Sequence, residues 1–364
     1  MPSIEYLVIS GAGPNGLGQL GILEILTEVK FLDTSSIKKT FGTSAGAIIA
    51  ANIALGIDIK EMIEYIVERP WNKMIKIDLD NFLSLNQSKG LISSDLIKNA
   101  VIPFFKAYDI DTGITLKEAY QRTGIELNVI TVEIGVFKDI CLNHKTFPDL
   151  PLLTAVAMSS AMPPVFSPVE YEGKYYLDGG LLNNFPLNNL THLLKPSHYD
   201  RVLAIRIDKK NKSECDNVDI GSLTGIEYAQ YIFQRSFGLL GNGIEYGNSH
   251  ERRIPYEIVC EVDHFIAEPV LWKDFNNSTL ARKGMYKNGI MSVHKFLDRI
   301  DWAIKPAKSL DAYEAPEVTE SSEAPGVTES AEAGEPSDAG ELSEADELSE
   351  AAADDDHVEV DQAV

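Results

Sequence analysis

Ser44 lies at the centre of Gly42-Thr43-Ser44-Ala45-Gly46, a G-x-S-x-G pentapeptide. Flanking glycines let a backbone turn sharply and leave a serine Oγ exposed over the start of the following helix. A hydroxyl held that way can attack a carbonyl, provided a neighbouring group takes its proton. Two other stretches carry matching chemistry. Asp178-Gly179-Gly180 places a carboxylate where backbone can approach closely. Gly11-Ala12-Gly13-Pro14-Asn15-Gly16 is a run of small residues whose amides can converge on an anion.

Each stretch has a plainer reading. The pentapeptide can be a glycine-rich turn before a core helix. Asp178-Gly179 can be a hairpin turn. Gly11, Gly13 and Gly16 also satisfy the dinucleotide fingerprint G-x-G-x-x-G. That site needs an acid at the end of a second strand, and Asp33 is only loosely placed for it. A serine nucleophile usually takes a histidine base. Of the seven histidines, His264 and His294 fall late enough for a Ser-acid-His order, and neither sits in a distinctive loop.

The elements that must position these groups are legible from periodicity. Tyr6 to Ile9 is a short buried strand that runs into the glycine loop. Leu17 to Val29 then reads as a helix apolar on most sides. After the pentapeptide, small and apolar residues continue to Leu55, with Gly56 as the stop. Asp58 to Glu68 is an amphipathic helix ended by Pro70, and Ser94 to Tyr108 is helical. Leu127 to Ile134, Lys138 to Leu142, Arg201 to Ile207 and Tyr256 to Val262 are strands. Leu152 to Ala161 is a helix closed by Pro163 and Pro164, Tyr171 to Leu177 is a hairpin arm, and Phe275 to Leu297 is a single closing helix. Strand, loop and helix in alternation make an α/β pattern. Trp71, Phe82, Phe104 and Phe105 are candidates for either core or a lipid-facing cap.

Composition sets the bounds. The chain has 364 residues, 44% of them hydrophobic, and a formal net charge of −23. That charge is unevenly spread: 19 of the 55 acids fall after residue 310, with no Lys or Arg among them. The body is nearly balanced, so a basic nucleic-acid footprint is absent. The acidic segment repeats Glu-Ala-Pro-x-Val-Thr-Glu-Ser and is expected to be disordered, with no partner assignable. Cys141, Cys215 and Cys260 are widely spaced and predict reduced thiols in a cytosol-like compartment. Neither a secretory signal nor an apolar run of membrane-spanning length is visible. A cytoplasmic protein is expected, with peripheral contact to membranes only.

Taken in order, the glycine loop, Gly42-Thr43-Ser44-Ala45-Gly46, Ser159-Ser160-Ala161-Met162-Pro163 and Asp178-Gly179-Gly180 resemble the patatin-like phospholipase family. The resemblance runs from about Tyr6 to Pro186. It implies a three-layer α/β/α sandwich with a largely parallel central sheet. By similarity Ser44 is the nucleophile and Asp178 its sole base. Gly11, Ala12 and Gly13 would form the oxyanion hole, with Asn15, Gly16, Gly42, Gly46, Gly179 and Gly180 as motif-supporting positions. The substrate would be membrane or micellar lipid, with no metal or cofactor. Two positions depart from the family pattern: Ala12 replaces a glycine, and Asn15 stands where a Lys or Arg is usual. The expected organisation is a catalytic domain over residues 1–307 and an acidic tail over 308–364. A Ser-His-Asp esterase, an inert scaffold of the same fold and a dinucleotide-binding oxidoreductase are the alternatives.

Overall fold

Short apolar runs become the parallel strands of an eight-stranded sheet, because strands covered on both faces have no polar side to show. The computed structural model describes residues 2–75, 85–210, 221, 224, 231–232, 254–264, 268–304 and 306. The acidic segment expected to be disordered lies outside these residues, as do Phe82, Cys215, His250 and His357.

Five strands are parallel. They are β1 (Tyr6–Ile9), β2 (Lys39–Thr43), β3 (Glu126–Glu133), β7 (Val202–Lys209) and β8 (Tyr256–Val262), in the spatial order β3-β2-β1-β7-β8. Three antiparallel strands extend the β3 end: β4 (Lys138–Leu142), β5 (Val169–Tyr171) and β6 (Lys174–Asp178).

The alternation of side chains along a strand divides the core in two. Leu7 and Ile9 of β1, with Leu203 and Ile205 of β7, join the larger cluster. That face carries α1 (Gly16–Glu28), α2 (Ala45–Ala54), α3 (Ile59–Glu68), α5 (Asp95–Ala107), α7 (Leu152–Ser160) and α10 (Thr279–Arg299). Val8 of β1, with Val202 and Ala204 of β7, faces the other way onto Phe185 and Leu190. This thinner layer is built by the segment around α8 (Leu187–Thr191). The result is the expected α/β/α sandwich. The remaining helices are α4 (Trp71–Met74), α6 (Leu116–Thr123) and α9 (Pro269–Asn277).

Local signals explain most boundaries. The Asp58 carboxylate accepts from the amides of Lys60 and Glu61 and starts α3. Thr115 and Glu118 cap each other at the start of α6 in a capping box. The expected single closing helix is a correction. Ser278 is extended, with φ −127 and ψ 112, and splits that stretch into α9 and α10. Its side chain accepts from the Ala281 amide at 3.0 Å, so a serine read as a helix-interior residue serves as an N-cap.

Helices α1 and α10 cross at two glycines. A Cβ added to Gly289 would stand 1.8 Å from the Gly18 carbonyl oxygen. Backbone cannot rotate away as a side chain can. Gly289→Ala is therefore expected to lower stability by about 1–3 kcal/mol or more, read as a fall in Tm for the otherwise unchanged protein.

The sheet also decides what meets Ser44. Strand β3 has two edges, and β4 runs along one of them opposite residues 129–133. The other edge is shared. β2 pairs with it up to Thr43↔Ile130, and β6 arrives from the opposite direction to pair Asp178↔Thr131. The end of β2 and the end of β6 thus abut on adjacent residues of one strand, and the residues carried there are Ser44 and Asp178.

Candidate active site

Ser44 follows β2 directly and is the N-cap of α2, with φ 54 and ψ −125. A serine in this conformation is strained and is held there by its surroundings. The flanking glycines permit it: a Cβ on Gly46 would lie 2.4 Å from the Ile9 carbonyl oxygen, and one on Gly42 would lie 2.5 Å from that of Gly46. The Ser44 amide is already committed, donating to Ser159 Oγ at 2.8 Å. Ser159 Oγ in turn donates to the Ile130 carbonyl, so α7 ties the elbow to β3. The helix N-terminus beneath Ser44 favours negative charge developing there.

Asp178 is fully buried at the end of β6. Its Oδ1 accepts from the Gly180 amide at 2.7 Å, and its own amide donates to the Ala161 carbonyl at 3.0 Å. Gly179 sits against the Ile130 carbonyl and the Thr43 side chain, too close for any Cβ. The segment is a strand end passing into a 3-10 turn, not a hairpin turn. Burial pushes the Asp178 carboxyl up to about 7, while the Ser44 hydroxyl and the Gly180 amide act in the opposite direction. An aspartate in this place is a far better base than one in water. The Ser44 hydroxyl is near enough to favour the carboxylate, yet Oδ2 has no hydrogen-bond partner among the described residues. The Ser44 hydroxyl thus favours the carboxylate without completing a hydrogen bond to Oδ2. The electrostatic effect tolerates a looser approach than hydrogen-bond geometry does, and catalytic hydrogen bonds commonly tighten only around substrate.

The glycine loop borders the same spot. A Cβ on Gly11 would come within 3.3 Å of Ser44 Cβ and 2.3 Å of Asn184 Oδ1. The Gly11 amide donates to the Asn184 carbonyl at 2.9 Å, and Asn184 Nδ2 donates back to the Gly11 carbonyl at 3.2 Å. Gly11 therefore has no amide to spare for an anion. The amides of Ala12 and Gly13 have no backbone acceptor among the described residues. Gly16 brings α1 against Ala45 at the start of α2. Asn15 is buried, and its Nδ2 donates to the His264 carbonyl at 3.0 Å, tying the loop to the segment after β8. Asp33, the candidate ribose acid, accepts instead from the amide and hydroxyl of Ser35 and caps its own turn.

Ser159 was part of a motif block with no role assigned to it, and Asn183 and Asn184 were not singled out by sequence. The Asn183 carbonyl accepts from Thr43 Oγ1 at 2.9 Å, so the two asparagines clamp the elbow and the glycine loop together. Their signal was present as two consecutive amides in an apolar stretch between Leu182 and Phe185. Ser159→Ala removes the acceptor of a buried amide that fixes Ser44. It is expected to reduce turnover more than about tenfold, since one lost buried hydrogen bond is worth about 1–3 kcal/mol. The check is kcat on a soluble ester, alongside a circular dichroism spectrum unchanged from wild type.

Ser44 opens onto a cavity of about 170 Å³. Leu17 and Leu20 of α1, Ile48 and Ile49 of α2, Tyr65 of α3 and Phe104 of α5 contribute to its almost wholly apolar wall. Trp71 and Phe104 line it, whereas Phe105 is fully buried core. No histidine lines it among the described residues. His264 is half exposed, with Nδ1 against Glu268 Oε2 at 2.8 Å. His294 lies on α10. Among the described residues no helix is long and apolar enough to cross a membrane.

Residues 7–191 match the family described as patatin-like phospholipase. Probable lipid hydrolase 463L of Invertebrate iridescent virus 6 is 28% identical over 63% of this chain and 73% of its own length. Triacylglycerol lipase 4 of Saccharomyces cerevisiae is 29% identical over 53% of this chain and 23% of its own length. Among solved structures, VipD from Legionella pneumophila superposes with a TM-score of 0.47 at 18% identity, covering 82% of this chain and 67% of that one.

Proposed function

We propose, from the premise that this chain belongs to the patatin-like phospholipase family, that it hydrolyses fatty-acyl esters of lipids through Ser44 and Asp178. One observation carries the reading. A serine held at positive φ sits beside a buried carboxylate and opens onto an apolar cavity. The names of the viral and yeast relatives, a lipid hydrolase and a triacylglycerol lipase, agree with it.

In this mechanism the ionised Asp178 takes the proton of Ser44 Oγ as that oxygen bonds to the ester carbonyl carbon. The carbonyl oxygen becomes an oxyanion, and the amides of Ala12 and Gly13 are the donors left for it once Gly11 is discounted. The start of α2 adds its dipole. Collapse of the intermediate breaks the ester C–O bond, and Asp178 returns its proton to the departing alcohol. Water then attacks the acyl-serine with Asp178 again as base; the ester bond to Ser44 Oγ breaks, Asp178 returns the proton to that oxygen, and the fatty acid leaves. The acyl chain lies in the cavity, whose wall rewards apolar surface at roughly 25 cal/mol per Å² removed from water.

Asn15 brings no charge to the loop, so the oxyanion is left to the amide donors and the α2 dipole. The Ser-His-Asp alternative lacks support at the site, where no histidine lines the cavity among the described residues. A fluorophosphonate probe should label the wild-type protein and not Ser44→Ala, and phospholipid or triacylglycerol in mixed micelles should release free fatty acid. Equal labelling of both proteins, or label on another serine, would reject Ser44 as the nucleophile. His264→Ala and His294→Ala are expected to keep at least about half of the wild-type kcat. If either stays folded and loses turnover as fully as Ser44→Ala, a conventional triad replaces the dyad.

A further inference from the structure

The cavity wall contains a polar group that the mechanism does not use. Helix α2 presents Ser44, Ala45, Ile48, Ile49 and Asn52 to the cavity. These positions form one helical stripe, with spacings of one, three and four residues. The nucleophile is at one end of the stripe and Asn52 at the other. Asn52 is 1% exposed. Its Oδ1 has no hydrogen-bond partner among the described residues.

Two other polar side chains of the wall, Tyr65 and Trp71, are satisfied within the protein. Tyr65 donates its hydroxyl to the Ala100 carbonyl at 3.0 Å, and Trp71 Nε1 donates to the Ile66 carbonyl at 2.8 Å. Ser160 Oγ also lacks a partner, but it belongs to the residue next to Ser159, which ties the elbow. Buried amides are nearly always hydrogen-bonded, so an orphan one bordering a ligand cavity points to a ligand group.

We propose that Asn52 is a specificity-determining residue that selects acyl chains carrying a hydroxyl some ten carbons from the ester carbonyl. The inference rests on the lipid-ester reading above. Eight residues of helix separate Ser44 from Asn52, a rise of about 12 Å. An extended chain advances about 1.2 Å per bond, so the amide stands beside the middle of a long acyl chain, near its tenth carbon. A hydroxyl there donates to Oδ1, and it equally satisfies the amide with its oxygen and nitrogen exchanged, because it both donates and accepts. A plain methylene leaves the amide desolvated and unpaired. A site built to bond a hydroxyl discriminates strongly against the ligand that lacks it.

The test uses the full chain and free fatty acids, which bind without turning over. Stearate and stearate hydroxylated at about the tenth carbon compete against a fluorescent fatty acid, on wild type and on Asn52→Leu. Expected is binding of the hydroxylated acid by wild type roughly tenfold tighter than stearate, about 1.4 kcal/mol. In Asn52→Leu that preference should vanish or reverse, mainly through weaker binding of the hydroxylated acid. Asn52→Ala, which adds no bulk, gives the same reading if the leucine variant does not fold. No preference in wild type, or the same preference in the folded variants, overturns the inference. Hydrolysis of stearoyl ester by wild type is measured in parallel. Ser44-dependent hydrolysis without any binding preference sinks the role of Asn52 alone, whereas binding preference without any Ser44-dependent hydrolysis sinks the enzymatic reading and leaves a hydroxyacyl-binding site.

Discussion

Asp178→Asn and Ser44→Ala should each lower turnover at least about a hundredfold, the usual effect of losing a general base or a nucleophile. The two losses should not add, because the residues act as one unit. The double variant should be no slower than either single variant by more than a few-fold. Wild-type kcat/KM should rise with pH through an apparent pKa near 7, because the base must be ionised and burial pushes Asp178 up to about 7. An unperturbed aspartate, with a pKa of about 3.9, would give a flat profile over that range. A profile flat from pH 5 to 9, or an Asp178→Asn protein retaining most of its turnover, would remove Asp178 as the base.

The same substitution should stabilise the fold above neutral pH. Asp178 binds a proton in the native state up to about pH 7, whereas in the unfolded chain it releases it near 3.9. Between those values the native state holds the extra proton, so its stability falls as pH rises. Above pH 7 the protein carries a buried carboxylate whose ionisation disfavours the fold. A shift of about three units corresponds to on the order of 4 kcal/mol. The asparagine side chain of the variant cannot ionise, and its oxygen can still accept from the Gly180 amide. Asp178→Asn and wild type should therefore have nearly equal denaturation midpoints at pH 4, with the variant increasingly more stable through pH 8. The check is a urea titration at each pH. A variant less stable than wild type at pH 8 would show that neighbouring groups favour the carboxylate more than burial opposes it. Under the proposed mechanism activity and stability pull against each other at this residue, as they commonly do where function keeps a charged group in a dry place.

The local chemistry was legible in the chain itself. Tyr6–Ile9, Lys138–Leu142 and Tyr256–Val262 were read at the boundaries the structure has, because apolar and β-branched residues mark a strand within the segment itself. Gly42 and Gly46 announced the elbow, since a sharp turn into a helix needs positions without a Cβ. Ser278 was misread for the converse reason. A serine between two helical patterns fits an exposed helix position or an N-cap equally well, and only the direction in which α9 packs selects the cap.

Tertiary structure alone decided the rest. The sequence placed a serine and an aspartate in suggestive settings 134 positions apart. It contained nothing to say that β2 and β6 share one edge of β3 and end on neighbouring residues. Pairing register is fixed by the packing of whole sheet faces, which no window of adjacent residues contains. The same holds for the basicity of Asp178, which comes from complete removal from water by groups drawn from β3, α7 and the elbow. It holds too for the Gly11 amide, which the motif offered as an anion donor and Asn184 claims from 173 residues away. Propensity and periodicity act between near neighbours, so the sequence determined which chemical groups were present and on which kinds of element. Desolvation, register and competition for hydrogen bonds act between residues remote in the chain, and they decided which of those groups lie together and which are already committed to other partners.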